Sequence, residues 1–459
     1  MTRYVILGTG VAAIAAAEEI RAHDAAGELH LVGDDPFGYY SRPGLAYYLT
    51  GELSEEMLYP YRKEDFLKLN LRFYRARATR ILPAEKQVEL DNGACLPYDK
   101  LLIATGAQAM PLKIPGAEWK GVHKLDHLAD ARALLAEAKR GRTAIVTGGG
   151  ITALELAEGL AARGMKVHYV LRSPRYWPGV LDELESGVIE SLLAQEGITL
   201  HHKSEIAEIL GNNGKINAVR LADGRALKAD LLAYAIGIAP RLDLARAAGL
   251  ECERGILVNE YMQTSQPDIF AAGDVVQVFD PASGKHLLDS LWNPAREQGR
   301  AAARNMTGRA EPYYKPPVFN VTRLAGLTVT IIGAVATPSS PALLQKGEGG
   351  IFPSPLGRGV KGEGERDPDL LGIARGDSET WRQVPNVIVA QSGFEVNRLR
   401  LMVGERHLLG AIVMGDQKLS GSLQTLIRQK TDITPIRPQL LAPNAPVADI
   451  LASFVSGNL

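Results

Sequence analysis

The sequence predicts an α/β fold that uses one strand–turn–helix unit twice and then adds a C-terminal α+β block. Three observations carry this. The first copy reads Val5-Ile6-Leu7-Gly8-Thr9-Gly10-Val11-Ala12-Ala13, an apolar run closed by glycines and opening an Ala-rich helix. The second reads Ile145-Val146-Thr147-Gly148-Gly149-Gly150-Ile151-Thr152-Ala153 in the same pattern. Further on, residues 399–403 and 408–413 read as a hairpin, with a helical pattern over 419–429 behind it.

Gly8 and Gly148 stand 140 residues apart, too far for one βαβ unit to hold both. In each copy the first glycine permits a tight reversal from strand to helix. The second, Gly10 or Gly150, lets backbone approach a pyrophosphate with no Cβ in the way. The helix then offers unpaired N–H groups and its positive dipole end to that anion. Ala13 and Ala153 replace the usual third glycine, where a small residue keeps helix and strand close. Two such turns suggest two bound dinucleotides, hence electron transfer between them.

Composition narrows the class. A chain of 459 residues holds two to four domains. Its formal net charge of −1 offers no basic field for nucleic acid or a membrane surface. No apolar run has the length of a membrane span. Residues 5–17 have the look of a signal-peptide core, but Glu18 and Glu19 follow at once, so the segment reads as mature protein and the chain as cytoplasmic. Cys95 and Cys252 are the only cysteines, which excludes a disulfide framework, a structural zinc or an iron–sulfur cluster built on this chain alone. No metal ligands are assigned.

Along the chain, residues 3–8 read as a strand, 11–23 as a helix and 29–32 as a second strand ending at Gly33-Asp34-Asp35. An acid at that strand end commonly binds an adenosine ribose, and either Asp34 or Asp35 fits. Residues 98–107 are a buried strand entering the turn Ala104-Thr105-Gly106. Residues 143–172 repeat strand, helix, strand; Asp223-Gly224 marks a hairpin; 231–236 is a strand closing at Gly237-Ile238-Ala239-Pro240. The run 264–274 is a strand ending in Gly273-Asp274, and Asn293-Pro294 has the N-cap and N1 chemistry that starts a helix to about 306. Residues 337–368 are a low-complexity insertion rich in Gly, Pro and charge.

These motifs, in this order and spacing over residues 1–335, resemble the pyridine nucleotide–disulfide oxidoreductase superfamily. The resemblance implies two Rossmann-like domains, with an NAD(P) domain at 113–240 inserted in an FAD domain of segments 1–112 and 241–311. A C-terminal interface domain follows at 312–459. For FAD it implies Gly8, Gly10, Val11, Ala12 and Ala13 at the pyrophosphate, Asp34 or Asp35 at the ribose, and Ala78, Ala104, Thr105 and Gly106 along the cofactor. It further implies Asp274, after Gly273, on the ribityl chain, Arg42 and Pro43 lining the flavin, and N–H groups of Trp292 and Asn293 aimed at the flavin C2 carbonyl. For NAD(P) it implies Gly148, Gly150, Ile151 and Gly237, with Glu155 near the meeting of nicotinamide and flavin. Arg172 and Arg175 stand where NADH-preferring relatives often carry an acid, so NADH and NADPH both remain open.

Departures narrow the branch. Thiol-using members carry cysteine after the second strand; this chain reads Tyr39-Tyr40-Ser41-Arg42-Pro43-Gly44-Leu45-Ala46-Tyr47 there. That string resembles NADH:rubredoxin reductases, ferredoxin reductases and the flavin module of nitrite reductase large subunits. Some of those pair a Lys, at the place of Tyr47, with the Glu matched by Glu155; that pair is missing. The resemblance implies an FAD-dependent NAD(P)H oxidoreductase passing electrons to a small redox carrier or an iron–sulfur subunit, with a homodimer possible. Residues 322–327 are expected nearest the flavin ring from the C-terminal side. An NAD(P)H oxidase reducing oxygen directly and a redox-responsive binding protein are the alternatives.

Overall fold

The computed structural model describes residues 1–281, 283–335, 369–379 and 396–458. The expected insertion at 337–368 lies outside the described residues. Two compact units result: Met1–Val170 with Ser204–Lys315, and Leu171–Lys203 with the described residues from Pro316 onward.

The first unit contains two parallel sheets. One orders its strands Ile269–Ala271, Lys100–Ile103, Arg3–Leu7, Glu28–Val32 and Leu71–Tyr74, every pair parallel. Near-continuous apolar runs are expected where helices cover both faces, and Tyr4, Val5, Ile6 and Leu7 are all buried. The other places Lys166–Val170, Thr143–Thr147, Leu231–Tyr234 and Val122–Lys124 side by side. The helices Val11–His23 and Ile151–Ala162 rise directly from the two Gly turns. The predicted hairpin at Asp223-Gly224 joins Lys215–Leu221 to Ala226–Lys228, with Gly224 at φ +89°.

Chain passes between the two sheets along a two-stranded antiparallel ribbon, Ala107–Ala109 against Ile238–Pro240. Arg241 N–H closes it by donating to Gly106 O at 3.0 Å. Two glycines inside helices set how closely helices pack. At Gly299, in the helix Trp292–Met306, a Cβ would collide with Ala12 O; at Gly159 it would stand 2.8 Å from Leu49 Cβ on the helix Gly44–Thr50. The helix expected from Asn293 begins earlier: Leu291 is the N-cap and Trp292 the first helical residue. Pro294 is tolerated there because first-turn N–H groups have no intrahelical acceptor to lose.

The second unit is an antiparallel sheet ordered Phe319–Leu324, Leu327–Gly333, Leu408–Met414, Arg398–Gly404, Leu370–Gly376. The helices Ser420–Gln429 and Val447–Asn458 contribute Leu423, Leu426, Leu451 and Val455 to its core. The predicted hairpin at 399–413 is the central strand pair. Residues 322–327 form a strand end and turn, with Ala325 and Gly326 at positive φ.

Segment Leu171–Lys203 joins this unit through charge. Asp182 caps the helix Glu183–Gln195 by accepting from Glu185 N–H at 2.9 Å, and Glu185 returns the bond to Asp182 N–H at 2.9 Å. The other oxygen of Glu185 meets Arg400 Nε at 2.8 Å; Arg400 Nη2 donates to Val180 O at 2.6 Å. Arg375 Nε reaches Asp182 at 3.1 Å. Arg400 and Glu185 are 1% and 2% exposed, so neither can be rescued by water if the other is lost. Arg400→Ala should cost about 3–5 kcal/mol in denaturant unfolding, whereas Arg400→Met with Glu185→Leu should cost far less. Equal losses in both proteins would show that the pair is not what holds the segment.

Candidate functional site

Backbone conformation and close packing give the two Gly turns one shape. Gly8 sits at φ +116° and Gly148 at φ +143°. A Cβ on Gly8 would collide with Ala104 O, and one on Gly148 with Ala235 O, each at the end of the neighbouring parallel strand. Around the second glycines the space is open, with no atom within 4 Å of where a Cβ would stand on Gly10 or Gly150. Neither helix start has a side-chain cap or an acid in its first turn. Two helix N-termini are thus left with unpaired donors above an open cradle, which is what a pyrophosphate needs.

At the first turn, strand order brings the expected motifs together. Ala104 N–H donates to Leu7 O at 2.8 Å and Ala272 N–H to Ile103 O at 3.0 Å, so three strand ends lie in sequence across the sheet. Gly273, at φ +85°, would place a Cβ 3.2 Å from Ala12 Cβ, and its N–H is held by Gln298 Oε1 at 2.9 Å. Val11, Ala12, Ala13, Ala104, Thr105, Gly106, Gly273 and Asp274 therefore share one edge. Thr105 Oγ1 is buried with no partner among the described residues. Asp274 has no hydrogen-bond partner among them either; burial pushes its carboxyl up to about 6 despite the nearby Arg42 charge. A partly buried carboxylate and a buried hydroxyl without partners beside an uncapped helix fit a dinucleotide whose hydroxyls and phosphates complete them.

The two ribose candidates separate. Asp34 forms an exposed ion pair with Arg77 at 2.8 Å, while Asp35 accepts from Phe37 N–H at 2.9 Å and lies 3.8 Å from His127. Arg42, Pro43 and Tyr47 are exposed; Pro43 starts the helix Gly44–Thr50. Trp292 is partly exposed, with Arg296 stacked over its ring at 5.7 Å. Ala78 opens the strand Ala78–Leu82 on a separate three-stranded sheet.

At the second turn, Gly237 follows its strand and its carbonyl accepts from Met110 N–H at 2.9 Å. Glu155 lies one turn into the helix from Ile151, without a partner among the described residues, and burial lifts its carboxyl to about 7. That helix packs on the helix carrying Tyr47: Arg163 Nε donates to Leu49 O at 2.8 Å and Nη2 to Tyr48 O at 2.9 Å. Arg172 and Arg175 belong to the second unit, where the Arg175 guanidinium bonds Pro178 O and Leu181 O at 3.4 Å each.

Sequence reasoning missed Asp126, His127 and Arg241. Asp126 Oδ2 accepts from Ala109 N–H and from Lys124 Nζ, both at 3.2 Å, and lies 3.4 Å from His127 Nε2. Arg42 Nη1 donates to Asp126 O at 3.0 Å, and Arg42 Nη2 lies 3.3 Å from His127 Nδ1. Arg241 Nη2 approaches His127 Nε2 at 3.4 Å. Locally, Asp126 and His127 read only as the start of the helix Leu128–Glu137, whose Asp130 accepts from His127 N–H, and Arg241 only as a residue after the strand Ile238–Pro240.

Among the described residues no helix is long and apolar enough to cross a membrane. No cluster of three or more His, Cys, Asp or Glu is arranged to hold a metal.

Residues 2–299 match the family model described as pyridine nucleotide-disulphide oxidoreductase. The chain is 32% identical over 336 residues to the assimilatory nitrate reductase electron transfer subunit of Bacillus subtilis, covering 72% of this chain but only 43% of that protein. It is 32% identical over 344 residues to the biphenyl dioxygenase system ferredoxin–NAD(+) reductase component of Paraburkholderia xenovorans, covering 72% and 81%. Similarity to the NADH-dependent phenylglyoxylate dehydrogenase subunit epsilon of Aromatoleum evansii is 30% over 445 residues, covering 96% and 95%. The fold matches a ferredoxin reductase from Rhodopseudomonas palustris with a TM-score of 0.81 at 22% identity, covering 99% and 100% of the two chains.

Asp274 and Glu155 give a pH signature. Both folded values lie above the ordinary values of 3.8 and 4.5, so the folded protein without cofactor keeps these protons longer than the unfolded chain. The stability they contribute is whole below pH 4 and is lost as pH rises through 6 to 7. In denaturant unfolding of the apoprotein, Asp274→Asn should gain about 1–3 kcal/mol on the parent between pH 4 and pH 8. Glu155→Gln should behave alike, and parallel curves for parent and variants would show that neither acid is held neutral.

Proposed function

The chain belongs to the pyridine nucleotide–disulphide oxidoreductase family, and from that premise we propose that it is an FAD-dependent NAD(P)H oxidoreductase exchanging electrons with a separate redox protein. One observation supports this most strongly. Two uncapped Gly turns stand in one unit on helices joined through tightly packed partners, and the stretch where thiol-using members keep cysteine reads Tyr39 to Tyr47 instead.

In this reading Gly8, Gly10 and the N–H groups from Val11 to Ala13 hold the FAD pyrophosphate, Asp35 or Asp34 the ribose, and Asp274 the ribityl hydroxyls. Bound FAD supplies the chemistry of accepting a hydride and releasing electrons singly. The residues of the chain bind, orient and exclude water. Gly148, Gly150 and Ile151 cradle the pyrophosphate of NAD(P)H, and Glu155 lies one helical turn away as a group able to hold a proton near neutral pH. Arg172 and Arg175 are the candidates for a 2′-phosphate, which keeps both NADH and NADPH within the substrate class.

The relative matched from end to end is itself named as a subunit of a dehydrogenase. That favours a resident partner subunit over a freely diffusing carrier, with a homodimer as the further possibility for the second unit. The reading places the chain in the cytoplasm, where its free Cys95 and Cys252 stay reduced.

After reconstitution with FAD, anaerobic NADH or NADPH should bleach the flavin spectrum, and an iron–sulfur or rubredoxin-type protein should restore it far faster than air does. Rapid reoxidation by air alone would sink the reductase reading in favour of an oxidase. The double variant Cys95→Ser, Cys252→Ser should retain full turnover with the carrier, because no thiol takes part; a loss above tenfold would contradict this.

A further inference from the structure

Asp126 is a carboxylate at which the crossover ribbon, the second sheet and the loop carrying Arg42 meet. It is 8% exposed at its side chain. The ribbon reaches it through Ala109 N–H at 3.2 Å, the strand Val122–Lys124 through Lys124 Nζ at 3.2 Å, and the Arg42 loop through Nη1 to its Oδ1 at 3.6 Å. Arg241, next to the second ribbon strand, stands at 3.8 Å and also donates to Ala107 O at 3.3 Å.

His127 completes the arrangement. A neutral imidazole has one N–H and one lone pair. Nδ1 faces Arg42 Nη2 at 3.3 Å, while Nε2 faces both Asp126 Oδ2 and Arg241 Nη2 at 3.4 Å; in the tautomer with the proton on Nε2 the ring accepts from Arg42 at Nδ1 and presents its N–H to Asp126. Burial and the flanking Arg42 and Arg241 charges hold its pKa below the ordinary value, against Asp126 and Asp35, so the ring stays neutral. Arg42 is therefore gripped by a backbone carbonyl, a carboxylate and a ring nitrogen. Arg42 is also close enough to Asp274 for its charge to work against that acid's burial.

We propose that Asp126, acting through His127, is a positioning residue that fixes the Arg42 guanidinium beside the flavin and ties it to the crossover ribbon. This rests on the FAD assignment above. Held there, the Arg42 cation favours the reduced, more negative form of the cofactor. Loss of the grip lets the partly exposed guanidinium leave this position for bulk water, and its influence is screened.

The two ways Asp126 can act have opposite signs. As a mere charge, its removal leaves the site more positive and raises the flavin midpoint potential. As the anchor of Arg42, its removal lowers the potential toward the value of Arg42→Gln. The test is the midpoint potential of bound FAD in the parent, Asp126→Ala, Arg42→Gln and the double variant, with His127→Phe as a second probe should Asp126→Ala fold poorly. A downward shift in Asp126→Ala and His127→Phe is expected, with no further shift when Asp126→Ala is added to Arg42→Gln. An upward shift, no shift, or an equal shift in the Arg42→Gln background overturns the proposal, as does an Arg42→Gln protein with an unchanged potential. A parent protein that takes up no FAD sinks this proposal together with the reading it rests on. Bound FAD with an unmoved potential in Asp126→Ala sinks this one alone.

Discussion

Everything in the first unit depends on two places where a side chain is forbidden. Gly8 and Gly148 each press their Cα against the carbonyl at the end of an adjacent parallel strand, Ala104 in one sheet and Ala235 in the other. With positive φ and no room for Cβ, the chain can leave its strand and start a helix within three residues. That short path is what places the helix N-terminus over the sheet edge. A longer turn would carry the helix away from the neighbouring strand ends, and Thr105 and Asp274 would no longer face the same cradle as Gly10.

The rest of the site leaves polar atoms unfinished. Asp274 and Glu155 are partly buried acids without a hydrogen-bond donor among the described residues, and Thr105 is a buried hydroxyl without a partner there. Folded proteins complete nearly all such groups, so their clustering at two Gly turns is a cost that ligands can relieve. The second unit shows the opposite: Glu185 is almost fully buried yet bonded to Arg400 on one oxygen and to its helix cap on the other.

The parts of the fold legible in the sequence were those with local grammar. Gly turns, strand-length apolar runs and the Asp223-Gly224 hairpin announce themselves within ten residues; the turns and the hairpin are present, while the strands read over 264–274 and 98–107 shorten to Ile269–Ala271 and Lys100–Ile103. What stayed hidden depends on distance. Asp126 and His127 look like an ordinary helix start because Asp130 does cap them; nothing local shows that Arg42 and Arg241 arrive from far along the chain. Gly159 and Gly299 read as weak points in Ala-rich helices, although each is needed for a close helix crossing. Segment Leu171–Lys203 follows a strand of the second parallel sheet and returns to it at Thr199–His201, yet its Glu185 is bonded to Arg400, 215 residues further on. At Asn293-Pro294 the cap signal was real chemistry in the wrong register, because a proline anywhere in the first turn costs a helix little.

The crossover ribbon has a consequence for modularity. Its strands run side by side in opposite directions, and Gly106 O and Arg241 N, on the two flanks of the intervening stretch, are already 3.0 Å apart. Removing everything between them leaves a gap that a linker of a few residues closes, with no strand of the first sheet lost. The host sheet keeps all five strands and both flanks of its own Gly turn in such a miniature. The excision is covalently simple, but the intervening stretch is tied to the rest of the chain by Asp126 and His127 on Arg42, Gly159 on Leu49 and Glu185 on the buried Arg400, so each of these contacts would have to be replaced.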